Sequence, residues 1–275
     1  MKKIIVIFVL VLLFLSACRQ NNSDEYTSDS DGLELISILI EDINDTGYMV
    51  LVNRQHSVIE INESKFVRVN DIVPTIPAGN NNMLAHSSAM TALEALHRAI
   101  MTADVGSPFG VTSAFRSFEE QESLLAGFEQ DSLFIMPVGH SEHHTGLALD
   151  IGIHGMTGTE FGNSSQGLWL RDNAYRYGFI LRYPEHAVHI TEVGFEPWHF
   201  RYIGRVHAYF MKQNNFVFEE YITFIQEQTF FYFEKDGITY YILHQVPQNG
   251  TINVPRDLNF MISNDNTGGY IVTAW

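Results

Sequence analysis

Cysteine is almost missing from this chain: among 275 residues there is one, Cys18. A disulfide framework within the chain is therefore excluded. Cationic side chains are scarce too, with 16 lysines and arginines against 32 acidic residues and a formal charge of −16. Residues 1–17 hold two of the lysines and no acid, so the remainder carries 14 basic residues against 32, or −18. Phosphate binding needs a basic footprint, so no nucleic acid partner is expected, and the surplus acid reads as a solvated surface. No internal repeat is visible. The N-terminal apolar run, Ile4–Leu15, has twelve residues. That is short for a bilayer span and suits the core of an export signal.

What is present begins with that signal. Lys2 and Lys3 precede the apolar run, and Leu15-Ser16-Ala17-Cys18 follows it. The last four residues resemble the lipobox of bacterial lipoproteins, in which the cysteine is lipidated and becomes the new N-terminus. The expected layout is a signal peptide over 1–17 and a lipidated Cys18 leading a polar tether over 18–32. The protein would then be exported, at the bacterial cell surface, and held to the membrane by its lipid. Two acyl chains on one residue anchor stably where one binds reversibly; ordinary cleavage near Ala17 is the alternative. The tether is acidic and poor in apolar side chains, too few to offset the entropy of ordering.

The hydrophobic content of 45% is that of a globular protein, and the length is ample for a core. Leu33–Ile43 is apolar enough to pack as a short helix. Tyr48–Asn53 and Lys65–Val69 read as strands. Met90, Leu93, Leu96, Ile100 and Met101 recur at helical spacing within Ser88–Asp104 and predict a core helix; His86 and His97, in or beside it, read as structural. Phe109–Ser117 is a strand running into a helix start, where Ser117 and Glu120 have capping-box spacing. Leu168–Tyr177 reads as a helix closed by Gly178, Phe179–Arg182 as a strand, and 185–195 as a loop. Arg205–Lys212 and Phe218–Gln226 read as helices. Ile238–Leu243 and Gly269–Thr273 read as strands of a small β appendage over 228–275, leaving 33–227 as the main domain.

Chemistry concentrates in 139–152, Gly-His-Ser-Glu-His-His-Thr-Gly-Leu-Ala-Leu-Asp-Ile-Gly. Leu147, Leu149 and Ile151 alternate with Ala148, Asp150 and Gly152, so a strand here turns Asp150 away from its large neighbours. His143 lies just before Gly146, which permits a bend. A second stretch, Glu196-Pro-Trp-His-Phe-Arg201, opposes His199 to Trp198 and Phe200, and Pro197 frees Glu196 from the alternation. Three protein ligands leave a fourth position open for water in a hydrolytic zinc centre. His143, Asp150 and His199 would hold Zn²⁺, with His140 and His144 as lesser candidates. Glu196 would take the proton of an acidified water. Arg116, beside the positive end of a helix, would meet a carboxylate or an oxyanion, and Gln121 would face the same cleft.

Three motifs carry a family resemblance. Ser141-Glu-His-His-Thr-Gly-Leu-Ala-Leu-Asp150 fits Ser-x-His-x-x-Gly-x-Ala-x-Asp, Glu196-Pro-Trp-His199 fits Glu-x-x-His, and Ser113-Ala-Phe-Arg-Ser117 fits Ser-Gly-Tyr-Arg-Ser. From about Tyr48 to His207 the chain resembles the VanY-type zinc carboxypeptidases, which trim peptidoglycan stem peptides. Ala114 and His186-Ala187 depart from the common pattern at the substrate rim. The resemblance implies an α+β fold: a small antiparallel sheet with flanking helices. It also implies that His143, Asp150 and His199 are zinc ligands, Glu196 the base and Arg116 the transition-state arginine. Ser141 and Gln121 are then expected to contact the stem peptide. The expected activity is release of the terminal D-Ala by a monomer. The alternatives are an L,D-carboxypeptidase on tetrapeptides, a cell-wall-binding lipoprotein without turnover, and a zinc-scavenging lipoprotein.

Overall fold

The computed structural model describes residues 32–275 apart from 44–46, 59, 107–108, 130–131 and 157. The expected export signal, Cys18 and nearly all of the tether lie outside the described residues. Residues 33–43 do not form the expected helix. They give strand β1 (Leu35–Leu39) and a 3-10 turn, Ile40–Asp42. Ile36 and Ile38 alternate with more exposed neighbours; this period of two suits β-branched side chains on a half-covered ribbon. Tyr48–Asn53 is also not a strand, although Met49, Leu51 and Val52 are buried. Its amides are met individually, Met49 N by Ser263 Oγ at 2.9 Å and Leu51 N by Asp265 O at 3.0 Å. Its carbonyls at Tyr48 and Val50 accept from Arg201, so no ladder is needed to satisfy them.

β2 (Phe66–Arg68) runs into the one-turn helix α1 (Val69–Ile72) and pairs antiparallel with β3 (Leu84–His86). The apolar period then produces α2 (Ser87–Thr102), started by His86, whose Nδ1 accepts from Ser88 N. β4 (Gly110–Ser113) is followed by α3 (Phe118–Leu125), with both hydrogen bonds of the Ser117/Glu120 capping box in place. β5 (Ala148–Gly152), α4 (Gly158–Asn163), α5 (Ser165–Asn173), β6 (Phe179–Leu181), α6 (Val188–Thr191) and β7 (His199–Tyr202) complete the central part. Gly178 ends the helical stretch with φ of 91°, a left-handed position that glycine takes without a Cβ clash.

β4, β5, β7 and β6 form one antiparallel sheet in that order. Leu149, Ile151 and Phe200 point to one face and share a core with Met90, Leu93, Leu96 and Ile100 of α2. Burying one such side chain contributes roughly 1.5–3 kcal/mol, so the helix fixes which face of β5 turns inward. The opposite face is left for polar side chains, and there Ser113, Asp150 and His199 line up as register partners across three strands.

α7 (Arg205–Asn214) and α8 (Phe218–Gln228) precede the C-terminal strands β8 (Phe230–Lys235), β9 (Ile238–Gln245), β10 (Thr251–Pro255), β11 (Phe260–Asn264) and β12 (Tyr270–Ala274). The order β11-β12-β9-β8 makes a second antiparallel sheet, while β10 pairs with β1. Asp236 and Gly237, both at positive φ, turn β8 into β9 as a two-residue hairpin loop does. This sheet packs Phe231, Phe233, Ile242 and Ile271 against Phe210, Phe218, Tyr221 and Ile225, in a core that also takes in Ile180 and Ile203. No helix among the described residues is long and apolar enough to cross a membrane.

Candidate metal centre and active-site cleft

The register of β5 on β7 places Asp150 opposite His199, and their side chains meet at 3.1 Å between Oδ1 and Nδ1. His143 arrives from a different element, the 3-10 turn Glu142–Thr145 that follows Ser141. Gly146 closes this turn with φ of 66°, and a Cβ there would lie 2.8 Å from the Phe66 ring. The bend therefore requires glycine. It brings His143 Nε2 to 3.3 Å from Asp150 Oδ2, while His143 Nδ1 donates to Ala114 O at 2.6 Å. With Nδ1 carrying the proton, Nε2 is left as a lone-pair donor.

One donor atom from each of His143, Asp150 and His199 lies within 4.8 Å of the others. Two atoms each about 2.0–2.1 Å from a tetrahedral zinc stand about 3.3 Å apart, close to the separations of the two imidazoles from the two oxygens of Asp150. The electrostatics agree. Burial disfavours a proton on His199, yet hydrogen bonds to Asp150 and Glu142 outweigh it and push its pKa up to about 9. Burial likewise opposes charge on Asp150, but the two imidazoles hold its carboxyl well below the usual carboxylate range. A cluster that draws a proton this strongly is also suited to a divalent cation. The donor set thus fits zinc in kind, number and spacing.

Glu196 and His199 belong to one tight turn, closed by His199 N donating to Glu196 O at 3.1 Å. Glu196 Oε2 stands 3.6 Å from His199 Nδ1. Burial, reinforced by Asp150 and opposed by His199 and Arg116, raises its pKa to about 8. A carboxylate poised near neutrality is what general-base work needs. Arg116 lines the same cavity, with Nη1 donating to Gln121 Oε1 at 2.7 Å and Nη2 to Ser113 Oγ at 3.0 Å. Gln121 is fully buried, and its amide also donates to Met136 O at 2.6 Å; both ends of that amide are engaged in fixing Arg116. Ser141 lines the cavity and caps the turn that carries His143. The cleft encloses about 440 Å³, with Leu124, Phe128, Phe134, Met136 and Val193 as its apolar wall. That volume suits the end of a peptide.

The competing histidines are engaged elsewhere. His144 Nε2 accepts from Gly139 N and its Nδ1 donates to Arg116 O, while His140 Nδ1 faces Asn53 O. His97 packs edge-on to Phe109 in the core. Sequence reasoning missed Glu142, Arg182 and Arg201, all fully or almost fully buried. Glu142 Oε1 accepts from Arg182 Nε at 2.8 Å and Arg201 Nη1 at 3.0 Å, and its Oε2 lies 3.4 Å from His199 Nε2. A signal was present: Arg182 directly follows the apolar strand β6 and Arg201 stands between Phe200 and Tyr202 in β7, where a charge requires a buried partner.

An antiparallel sheet presenting a His-Asp-His donor set, with a glutamate and an arginine in the same cleft, defines an α+β protein with a candidate metal centre. Comparisons with known proteins narrow the class. The family model of VanY, D-alanyl-D-alanine carboxypeptidase, matches residues 82–205. A D-alanyl-D-alanine carboxypeptidase of Enterococcus faecium is 40% identical over 170 residues, 62% of this chain and 54% of that protein. The chain thus spans little more than half the length of that relative. YodJ of Bacillus subtilis (strain 168), named as a carboxypeptidase, is 32% identical over 200 residues, 70% of each protein. Among solved structures, the vancomycin-resistance D,D-dipeptidase VanXYg, bound to a D-Ala-D-Ala phosphinate analogue, superposes with a TM-score of 0.73 and 27% identity. It covers 88% of this chain and 99% of its own. VanY from a VanB-type cassette, solved as a mutant with Zn(II), gives 0.51 and 26% over 64% and 98%. The chain belongs to the VanY D-alanyl-D-alanine carboxypeptidase family.

Proposed function

We propose that this protein is a zinc-dependent carboxypeptidase that removes the terminal D-Ala from peptidoglycan stem peptides. The observation that carries this reading is the convergence of His143, Asp150 and His199 within 4.8 Å of one another in a cleft that also holds Glu196 and Arg116. Zinc, when bound by these three ligands, supplies Lewis acidity and a water acidified towards a pKa of about 7. Glu196, in the same cleft, would be the base that takes a proton from the attacking water and returns it to the leaving amine. Arg116, held in place by Gln121 and Ser113, would stabilise the negative charge that develops on the scissile carbonyl oxygen, a contribution of about 3 to 4 kcal/mol in comparable oxyanion sites. Ser141, at the cavity wall, contacts the peptide directly, whereas Gln121 serves the substrate through Arg116. The apolar wall excludes bulk water and strengthens each of these electrostatic contacts.

A second reading, L,D-carboxypeptidase action on tetrapeptide stems, is favoured by one observation. The LdcB LD-carboxypeptidase superposes with a TM-score of 0.55 and 31% identity over 63% of this chain and 84% of its own. A wall-binding or zinc-scavenging role without turnover leaves Glu196 and Arg116 without a task. We further infer, from the lipobox-like Leu15–Cys18 and the polar stretch after it, that the enzyme works outside the cytoplasm on a lipid anchor, as a monomer. A soluble chain starting at Arg19 should bind about one zinc and liberate D-Ala from a pentapeptide ending in D-Ala-D-Ala. Release from the tetrapeptide alone would move the assignment to the L,D class. Zinc binding with neither release would leave only the non-catalytic readings.

A further inference from the structure

Behind the metal ligands lies a charge cluster that reaches the cleft wall only through Glu142. The side chains of Glu142, Arg182 and Arg201 are 0% exposed. Arg182 completes its bonding on α8, where Nη1 and Nη2 meet the two carboxylate oxygens of Glu219 at 2.9 and 2.6 Å. Arg201 completes its own on the carbonyls of Tyr48 and Val50 at 3.0 and 2.9 Å. The cluster therefore joins β6, β7, the 48–50 segment and α8 at one carboxylate, and that carboxylate touches the ring of His199.

Ion clusters of this kind are a poor way to stabilise a core. Desolvating four charges costs several kcal/mol per ion, and apolar side chains of equal volume often do as well or better. What a carboxylate does that a leucine does not is fix an imidazole. An imidazole can present either nitrogen to a metal, and the hydrogen bond at the other nitrogen selects which. Here Glu142 faces Nε2, while Nδ1 faces Asp150 and Glu196. The rings of His143 and Tyr183, at centroid distances of 4.9 and 4.8 Å, limit the plane but not the flip.

Resting on the metallocarboxypeptidase reading, we propose that Glu142 is a positioning residue. It holds the His199 ring with Nδ1 turned to Asp150, the orientation in which that nitrogen would serve as a ligand, and the Arg182–Glu219 pair ties that setting to α8. This gives the C-terminal sheet a task. Phe231, Phe233 and Ile242 pack under Phe218, Tyr221 and Ile225 of α8, so the sheet backs the helix that carries Glu219. The strands after residue 228 are then part of the support of the metal centre.

The test uses the chain from Arg19 and its Glu142→Gln variant. Glutamine keeps the volume and one acceptor but loses the second acceptor oxygen needed to serve His199 and two guanidiniums together. Zinc affinity, measured by competition with a chromophoric chelator, should fall about 10- to 100-fold, as for other outer partners of ligating histidines. The visible spectrum of the Co(II)-substituted chain should shift in position and intensity, while KM for the pentapeptide stays within about twofold. Ile36→Ala, a loss of packing in the separate core beneath β1, should lower the melting temperature and leave metal affinity and spectrum as in the parent. If Glu142→Gln does not fold by circular dichroism, Glu219→Gln decides, with a severalfold loss of zinc affinity expected. Parent-like affinity and Co(II) spectrum in whichever variant folds would overturn the proposal. A parent chain that binds no zinc at all would instead remove the metal reading, and this inference with it.

Discussion

Asp150 and His199 are register partners on β5 and β7, and their side chains meet at 3.1 Å on the face turned away from α2. A one-residue slip of either strand would send its own ligand into the apolar core. The packing of Leu149, Ile151 and Phe200 against α2 therefore sets the geometry of the metal ligands as well as the stability of the sheet.

Asp150→Asn is expected to lower zinc content from about one per chain to roughly a tenth or less after dialysis, because a neutral amide replaces the anionic ligand shared by both histidines. Metal analysis checks this. Far-UV circular dichroism should remain that of the parent, since Asp150 adds nothing to the apolar face.

Glu196→Ala should keep its zinc and lose turnover by at least about 10²- to 10⁴-fold, the range for a general acid–base group. Single-turnover release of D-Ala, with metal content measured on the same sample, separates the two effects. Parent-like turnover would remove the base role.

Arg116→Ala is expected to lower kcat by about 10²- to 10³-fold with zinc content unchanged. Arg116→Lys should recover only part of this, because an ammonium cannot reproduce the paired contacts to Gln121 Oε1 and Ser113 Oγ that hold a planar guanidinium in place. The ratio of the two variants in kcat/KM is the measurement.

His207 predicts the pH dependence of stability away from the catalytic cleft. It is buried between Tyr221 and Thr273, bonded to their hydroxyls at 2.9 and 2.8 Å, and burial lowers its pKa to about 3. An unfolded histidine takes a proton near 6.5, so between these values the unfolded chain binds more protons than the folded one. Stability from this group is complete above about pH 6.5 and falls as pH drops towards 3, by up to about 1.4 kcal/mol per pH unit. His86, pushed down to about 4 by burial with Lys65 and Arg201 assisting, acts in the same direction. Urea unfolding at pH 7 and pH 5 should show a smaller pH difference for His207→Gln than for the parent; an equal difference would remove His207 from the account.

Reading local pattern recovered α2, the β4–α3 junction with its capping box, β6, α7, α8 and the strands β9 and β12, because each depends on side-chain period and on caps within a few residues. It failed at Leu35–Leu39 and Tyr48–Asn53, where partners more than 200 residues away take the backbone groups. The alternation through Leu147–Gly152 and the opposition of His199 to Phe200 were enough to single out Asp150 and His199, since strand geometry alone turns them from the core. Glu142 was not recoverable in this way. Its meaning depends on Arg182, Arg201 and Glu219, which only chain folding brings together.

The sequence by itself determined which side chains have the chemistry for the metal and the proton, because donor type and strand period are local properties. Which nitrogen of His143 and His199 turns towards Asp150, that Gln121 braces Arg116, and that the C-terminal sheet packs against α8 were decided by tertiary structure. Those are contacts between remote elements, set by packing and by the need of buried charges for partners.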